Sequence, residues 1–185
     1  MPRARSVVHF DYGYSAVMPN WEAEMEKRWG RAFVHEGGHA IMAVLQDIPC
    51  HGICCEFQNE GVKFCAIADL PIPTLYNEGH YLFLTAGSAA EQIVYGNRDE
   101  EAAKSDVRDF ATSGAPPLQE TINDAHSILL SKTRQLKRLV SKLKAKMRQA
   151  DFDVGNLPEV GMKGSIKRYG VLLSKQEVED CVRRA

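Results

Sequence analysis

The sequence predicts a mainly α-helical domain with one small β-hairpin. Three observations carry this expectation. Apolar residues recur at helical spacing in the stretches around residues 21–46, 75–95 and 118–147. Two runs rich in β-formers flank Asn59, Glu60 and Gly61, the composition of a hairpin turn. A chain of 185 residues, 44% hydrophobic and 25% charged, has the composition of a folded domain and the length to bury a core without staples.

Residues 1–19 lack periodicity and read as an N-terminal arm, leaving 20–185 as the domain. Asn20 is a suitable helix N-cap, with Glu22 and Glu24 near the positive end of the helix dipole. The helix continues through WEAEMEKRWGRAFVHEGGHAIMAVLQ and offers Ala32, Phe33, Ala40, Ile41, Val44 and Leu45 to a core. Pro49 is its expected end. The hairpin follows, then a loop at PIPT, residues 71–74. A helix in one or two pieces covers LYNEGHYLFLTAGSAAEQIVYG, with Gly96 as its C-cap. AAKSDVRDFAT starts another helix, capped near Ser105 or Asp106.

Gly114, Ala115, Pro116 and Pro117 break the chain before a C-terminal helical part at about 118–185. Its first helix, Leu118 to Met147, is expected to be the longest, with Leu129, Leu136, Val140, Leu143 and Met147 at helical spacing. Five glycines and prolines between 151 and 170 predict a loop. A last short helix starts at Ser174 as N-cap, with Glu177 at the capping-box position.

Bulk properties narrow the function classes. A net charge of -1 gives no global attraction to nucleic acid or anionic lipid, and no nucleic-acid partner is expected. No acidic residue lies between Ala125 and Ala150, where lysines and arginines are dense. That run reads as the solvated face of a core-packing helix, a membrane or nucleic-acid surface being the weaker alternative. No signal-peptide core and no run of 18 apolar residues occur, so the expectation is a cytoplasmic protein without a membrane segment. Cys50, Cys54, Cys55, Cys65 and Cys181 are an odd set with no CxxC pair, and Cys54 and Cys55 would face opposite sides of a strand. Reduced, partly buried thiols are the expectation for all five.

The chemistry is concentrated in VHEGGHAIM, residues 34–42. Positions i and i+4 lie one turn apart on one helix face, so His35 and His39 can offer nitrogens to one metal ion. Glu36 is one step further round, placed to act on a water held by that metal without displacing it. Zinc in such a site supplies Lewis acidity and acidifies the water, and the glutamate serves as general base. The motif sits within an apolar-periodic helix. It also contains Gly37 and Gly38, each costing about 1 kcal/mol of helix propensity relative to Ala, which points to a close approach by another group.

A catalytic zinc takes a third protein ligand and keeps one position open. Leu45 stands where a metzincin would have its third histidine, which excludes that class. Glu91, in SAAEQIVYG, is the ligand expected of a thermolysin-like site, and Asp106 or Asp109 that of an aspartate-type site. Spacing alone leaves these open.

AFVHEGGHAIMAVL resembles the signature of the FtsH-type ATP-dependent zinc metalloproteases, in their peptidase domain. Further stretches match in order. The hairpin stands where that family has two strands. LTAGSAAEQIVYG is similar to its Gly-Gly-Arg-Ala-Ala-Glu-Glu helix, and EEAAKSDVRDFAT to its Gly-Ala-x-x-Asp-Leu helix. The closing segments resemble its last helices, so the resemblance covers about residues 31–181. It implies an FtsH-like zinc peptidase domain built on an HExxH helix. It puts the third ligand on Asp106, with Glu36 catalytic, and leaves Glu91 and Asp109 as neighbours or alternative ligands. Departures are Gly37 and Ser88, where the family has alanine and arginine, and Phe110, where alanine is common.

No GxxxxGK[ST] occurs, so the expectation is a peptidase domain without that ATPase. Its substrate would be a peptide or an unfolded protein, and its partners copies of itself or a separate ATPase. An exposed hairpin edge is a candidate holder of an extended peptide. The alternative is a non-catalytic relative that keeps the fold and serves as a zinc-binding or assembly module.

Overall fold

The computed structural model describes residues 29–58, 61–101, 103–111, 114–149, 159–161 and 168–183. The expected arm at 1–19 and the Asn20 cap lie outside these residues. The architecture is mainly helical with a small antiparallel sheet, organised around one central helix.

That helix, α1 (Arg31–Leu45), is buried over nearly its whole circumference from Phe33 to Ala43. A helix buried on nearly every side belongs in the middle of a fold, and the polar groups it carries there need partners. It ends earlier than Pro49 suggests. Asp47 takes a left-handed conformation, φ 53°, and the Ile48 N–H returns to the Ala43 carbonyl at 2.9 Å. This is a Schellman-type stop, with aspartate in the place usually taken by glycine.

The hairpin forms as expected from β1 (Cys50–Gln58) and β2 (Gly61–Ala68), with Gln58 opposite Gly61. The loop expected at 71–74 holds a single 3-10 turn, Pro73–Leu75. Next comes α2 (Glu78–Tyr95), one unbroken helix and the longest of the fold among the described residues. Asn77 and His80 form a reciprocal capping box at its start, and Gly96 closes it at φ 75°. The short α3 (Lys104–Phe110) follows, with Ala103 at the N-cap and no side-chain cap. Neither Ser105 nor Asp106 caps it, contrary to expectation.

The expected long helix is two helices, α4 (Leu118–Leu130) and α5 (Thr133–Gln149). The break has a local cause. Ser131 Oγ donates to the Ile128 carbonyl at 2.8 Å and Thr133 Oγ1 to that of Leu130 at 2.8 Å. Such hydroxyl bonds compete with the helical ladder. On α5, Leu136, Leu139, Val140, Leu143 and Met147 are buried, while Arg134, Lys137 and Arg138 are exposed.

The loop expected over 151–170 is contradicted where it is described. β3 (Glu159–Gly161) and β4 (Arg168–Ser174) pair with each other, and β4 continues the sheet beside β1. The run Tyr169 to Leu173 is long enough for a strand, but its glycine-rich surroundings disguise it. The strand order is β2-β1-β4-β3, antiparallel throughout. The C-terminal part is therefore not wholly helical. It finishes with α6 (Lys175–Arg183), whose Ser174 and Glu177 form the expected capping box, with bonds of 3.0 and 3.3 Å.

Cys54 and Cys55 point to opposite faces of β1, yet both are fully buried, so the sheet is covered on both sides there. All five cysteines carry free thiols. Burial pushes Cys54 up to about 12 and Cys55 up to about 11. Ile53 and Cys55 share the face that joins the core around α1, and Phe64 meets the ring of Phe33 edge-on at 4.9 Å. Each such aliphatic or aromatic side chain contributes about 1.5–3 kcal/mol when fully buried.

α1 and α2 pack closely because of Gly38. A Cβ there would lie 2.7 Å from Ala90 Cβ and still nearer the Ala86 carbonyl oxygen. The close approach anticipated for the two motif glycines is thus a neighbouring backbone, and Gly38 requires it. Gly37 faces the flexible ends of Leu136 and Leu139, which lie 3.0 and 3.3 Å from where a Cβ would stand. Among the described residues no helix is long and apolar enough to cross a membrane.

Candidate metal centre

The tight α1–α2 contact sets the site. His35 and His39 project from α1 one turn apart, both almost fully buried, with their Nε2 atoms 3.1 Å from each other. Each Nδ1 has an acceptor. His35 Nδ1 meets Glu91 Oε1 at 2.7 Å, and His39 Nδ1 meets the Phe83 carbonyl at 2.6 Å. Both partners lie on α2. An acceptor at Nδ1 requires the proton there, which leaves the Nε2 lone pairs of neutral rings pointing inward.

Asp106 completes the group. Its Oδ2 lies 2.9 Å from His35 Nε2 and 3.2 Å from His39 Nε2. α3 is held in place by Phe110, one turn beyond Asp106, which packs edge-on against Tyr81 of α2 at 5.2 Å. Phe110 thus has a structural role. It anchors the short helix that carries the aspartate. Three inward-pointing acceptors about 3 Å apart repel one another unless a cation or a proton lies among them.

The spacing suits zinc. Bonds of about 2.0–2.1 Å to nitrogen and oxygen in a tetrahedron separate neighbouring ligand atoms by about 3.3–3.4 Å. The observed 2.9–3.2 Å is close to that value. Among the described residues, His35, His39 and Asp106 form a group able to hold a metal ion, and no cysteine joins it.

Without metal a proton does the same work. Burial opposes charge on His35, but hydrogen bonds to Asp106 and Glu91 outweigh it and raise its pKa from 6.5 to about 10. Burial also pushes Asp106 up, but the charge of His39 and the bonds from both rings bring it well below the usual carboxylate range.

Glu91 is fully buried behind His35. It reaches the outer ring nitrogen of His35, the one turned away from the group. Asp109, the other alternative, is exposed and paired with its neighbour Arg108 at 3.3 Å. It does not join the group.

Glu36 lies on the other side of the centre, against the sheet. Its Oε2 accepts the Ala66 N–H of β2 at 2.6 Å. Among the described residues β2 pairs on its β1 side alone, which makes it an edge strand of the sheet they form. Burial raises the pKa of Glu36, while the charges of His39 and His35 and the Ala66 N–H pull it down.

Four contributors escape the sequence reading. Gly87 provides room for the His35 ring, the Phe83 carbonyl and Ala66 N–H are main-chain groups, and Arg31 holds Glu91 at 2.7 Å. Arg31 alone left a usable trace, since it precedes His35 by four residues on the same helix stripe. A scan against protein-family models and a search of curated proteins both return no match for this chain.

Proposed function

We propose that the chain is a zinc metallopeptidase of FtsH-like fold, with His35, His39 and Asp106 as metal ligands and Glu36 as general base. The observation that carries the proposal is the convergence of three acceptor atoms whose two histidines are both fixed through Nδ1. Zinc, when bound there, supplies Lewis acidity and makes a water molecule acidic enough to ionise near neutral pH.

The remaining work falls to the chain. The carbonyl of Phe83 and the carboxylate of Glu91 keep the rings oriented. Ala66 N–H holds Glu36 Oε2 against β2, and on this reading Oε1 handles the proton. That oxygen takes the proton from the attacking water and passes it to the leaving amine. Proton transfer through the same carboxylate in both directions needs a pKa lifted toward neutrality, and burial acts in that direction. The edge of β2 offers main-chain groups to an extended peptide, so the substrate class is an unfolded or flexible polypeptide segment. Delivery of such a segment would fall to a separate ATPase or to assembly of several copies.

A second reading is a non-catalytic metal-binding module. The Glu36–Ala66 bond favours it, because that bond also fastens α1 to β2 without any chemistry. Glu36→Gln separates the two. The amide oxygen still accepts the N–H, so fold and zinc content should persist in either case. On the peptidase reading, casein and peptide hydrolysis by the parent is abolished by chelator, and the variant is slower by about 10²–10⁴-fold. No chelator-sensitive turnover by the zinc-loaded parent rejects the enzyme reading.

A further inference from the structure

The buried carboxylate of Glu91 gathers three groups from two other parts of the chain, α1 and the segment that follows α2. Its Oε1 takes His35 Nδ1 at 2.7 Å. Its Oε2 takes Arg31 Nη1 at 2.7 Å and the Asp99 N–H at 2.7 Å. Arg31 extends the arrangement. Its Nη2 donates to Asn97 Oδ1 at 2.8 Å and its Nη1 also reaches the Asn97 carbonyl at 3.4 Å, while the guanidinium lies 4.6 Å over the Tyr95 ring.

Asn97 and Asp99 lie in the connection from α2 to α3, the helix bearing Asp106. One end of the arrangement therefore fixes the first histidine of the centre, and the other fixes the segment that delivers the aspartate. The two are joined through a carboxylate with no solvent exposure. A buried carboxylate without a cationic partner is costly and tends to rearrange or take up a proton. Arg31 is the permanently charged partner that holds it, with or without a proton on His35, and lies on the same helix stripe as His35 and His39.

We propose that Arg31 is a positioning residue for the metal centre, acting through Glu91 to set His35 and the Asp106 helix at a fixed separation. The inference rests on metal binding at His35, His39 and Asp106, and does not require peptidase activity. A planar fork is needed to hold Glu91 and Asn97 together, so lysine is only a partial substitute.

The test is a set of zinc affinities, measured by competition with a chelator, for the parent, Arg31→Met, Arg31→Lys, Glu91→Gln and the Arg31→Met/Glu91→Gln pair. Groups that orient metal-ligating histidines typically contribute 10–100-fold to affinity, and Arg31, one contact further out, is expected to contribute about tenfold. Arg31→Lys should fall between parent and Arg31→Met. Because Arg31 reaches His35 through Glu91, the effects of Arg31→Met and Glu91→Gln should be less than additive in the double variant. Cobalt in the same proteins gives a second readout. The visible bands of a four-coordinate ion should weaken in Arg31→Met as the Asp106 oxygen loses its fixed place. Parental zinc affinity in Arg31→Met, or an effect that adds fully to that of Glu91→Gln, overturns the proposal. If Arg31→Met does not fold, Arg31→Lys decides, and parental affinity and spectrum there overturn it. A parent that binds neither ion removes the metal reading itself, an outcome distinct from a parent that binds and a variant that matches it.

Discussion

The His35 imidazole lies flat against the backbone of Gly87, where an added methyl group would come within 2.5 Å of Nε2 and 2.6 Å of two ring carbons. Glycine at 87 is therefore a condition for the ring orientation that directs Nε2 inward. Gly87→Ala improves helix propensity by about 1 kcal/mol, so α2 itself gains from it. The expected result is a folded protein whose zinc affinity falls by more than about 100-fold, beyond the loss of a single orienting bond. Zinc titration alongside circular dichroism checks both halves, and unchanged affinity refutes the packing argument.

The two motif glycines should behave differently. Gly38→Ala forces a methyl onto the Ala86 carbonyl and Ala90, rigid neighbours on α2. It should cost about 1–3 kcal/mol, as overpacking does. Gly37→Ala meets only aliphatic side-chain ends, which can shift, and gains helix propensity. It should be neutral or slightly stabilising. Urea unfolding of the two variants, compared with the parent, measures the contrast, and equal effects would contradict it.

Asp106 and Asp109 lie within one turn of each other but in opposite circumstances. Asp106→Ala removes one of three converging acceptors and should reduce zinc binding more than any orienting-residue variant. Asp109→Ala removes an exposed side chain that pairs with Arg108 and takes no part in the group, and it should bind zinc as the parent does. Isothermal titration on the pair decides. Loss of binding in Asp109→Ala with retention in Asp106→Ala would move the centre elsewhere.

Two opposite pH trends follow from His35. In metal-free protein its pKa is about 10, above the unfolded value of 6.5, so the native state holds more protons between those limits. Its contribution to stability is then complete below about pH 6.5 and is lost as pH rises toward 10. Zinc must displace that proton, so zinc affinity should rise with pH over the same window, by about tenfold per unit. Thermal unfolding of chelator-treated protein at pH 6 and pH 9.5, set beside zinc affinities at pH 7 and pH 9, tests both signs. A flat zinc affinity would show that His35 is not the proton displaced.

Much of this was readable along the chain, and what was not has physical reasons. His35, Glu36 and His39 are legible because helical spacing fixes their relative positions. The C-terminal end of α2 and the N-terminal end of α6 are legible because Gly96, Ser174 and Glu177 have capping chemistry. Asp106 could be narrowed only to a set, since its place depends on how α3 docks through Phe110 and Tyr81. The Phe83 carbonyl and the Ala66 N–H have no residue-type signature at all. The break at Ser131 and the strand at Arg168–Ser174 were hidden for opposite reasons. An apolar period runs across the first, and glycines crowd the second.

The placing of β4 beside β1 has a consequence for how the molecule is made. Cys55 on β1 meets the carbonyl of Gly170 on β4, a residue 115 positions further along the chain. The hairpin of β1 and β2 can form as soon as it leaves the ribosome, whereas the other side of β1 stays unpaired until β4 has been translated. At about 5–20 residues per second that wait lasts roughly 6–20 seconds, with a strand edge open to unwanted pairing. His35, His39 and Asp106 all emerge before β4 does. Metal captured by the nascent chain would tie α1 to α3 during this interval, giving the unfinished sheet a fixed helix to rest on.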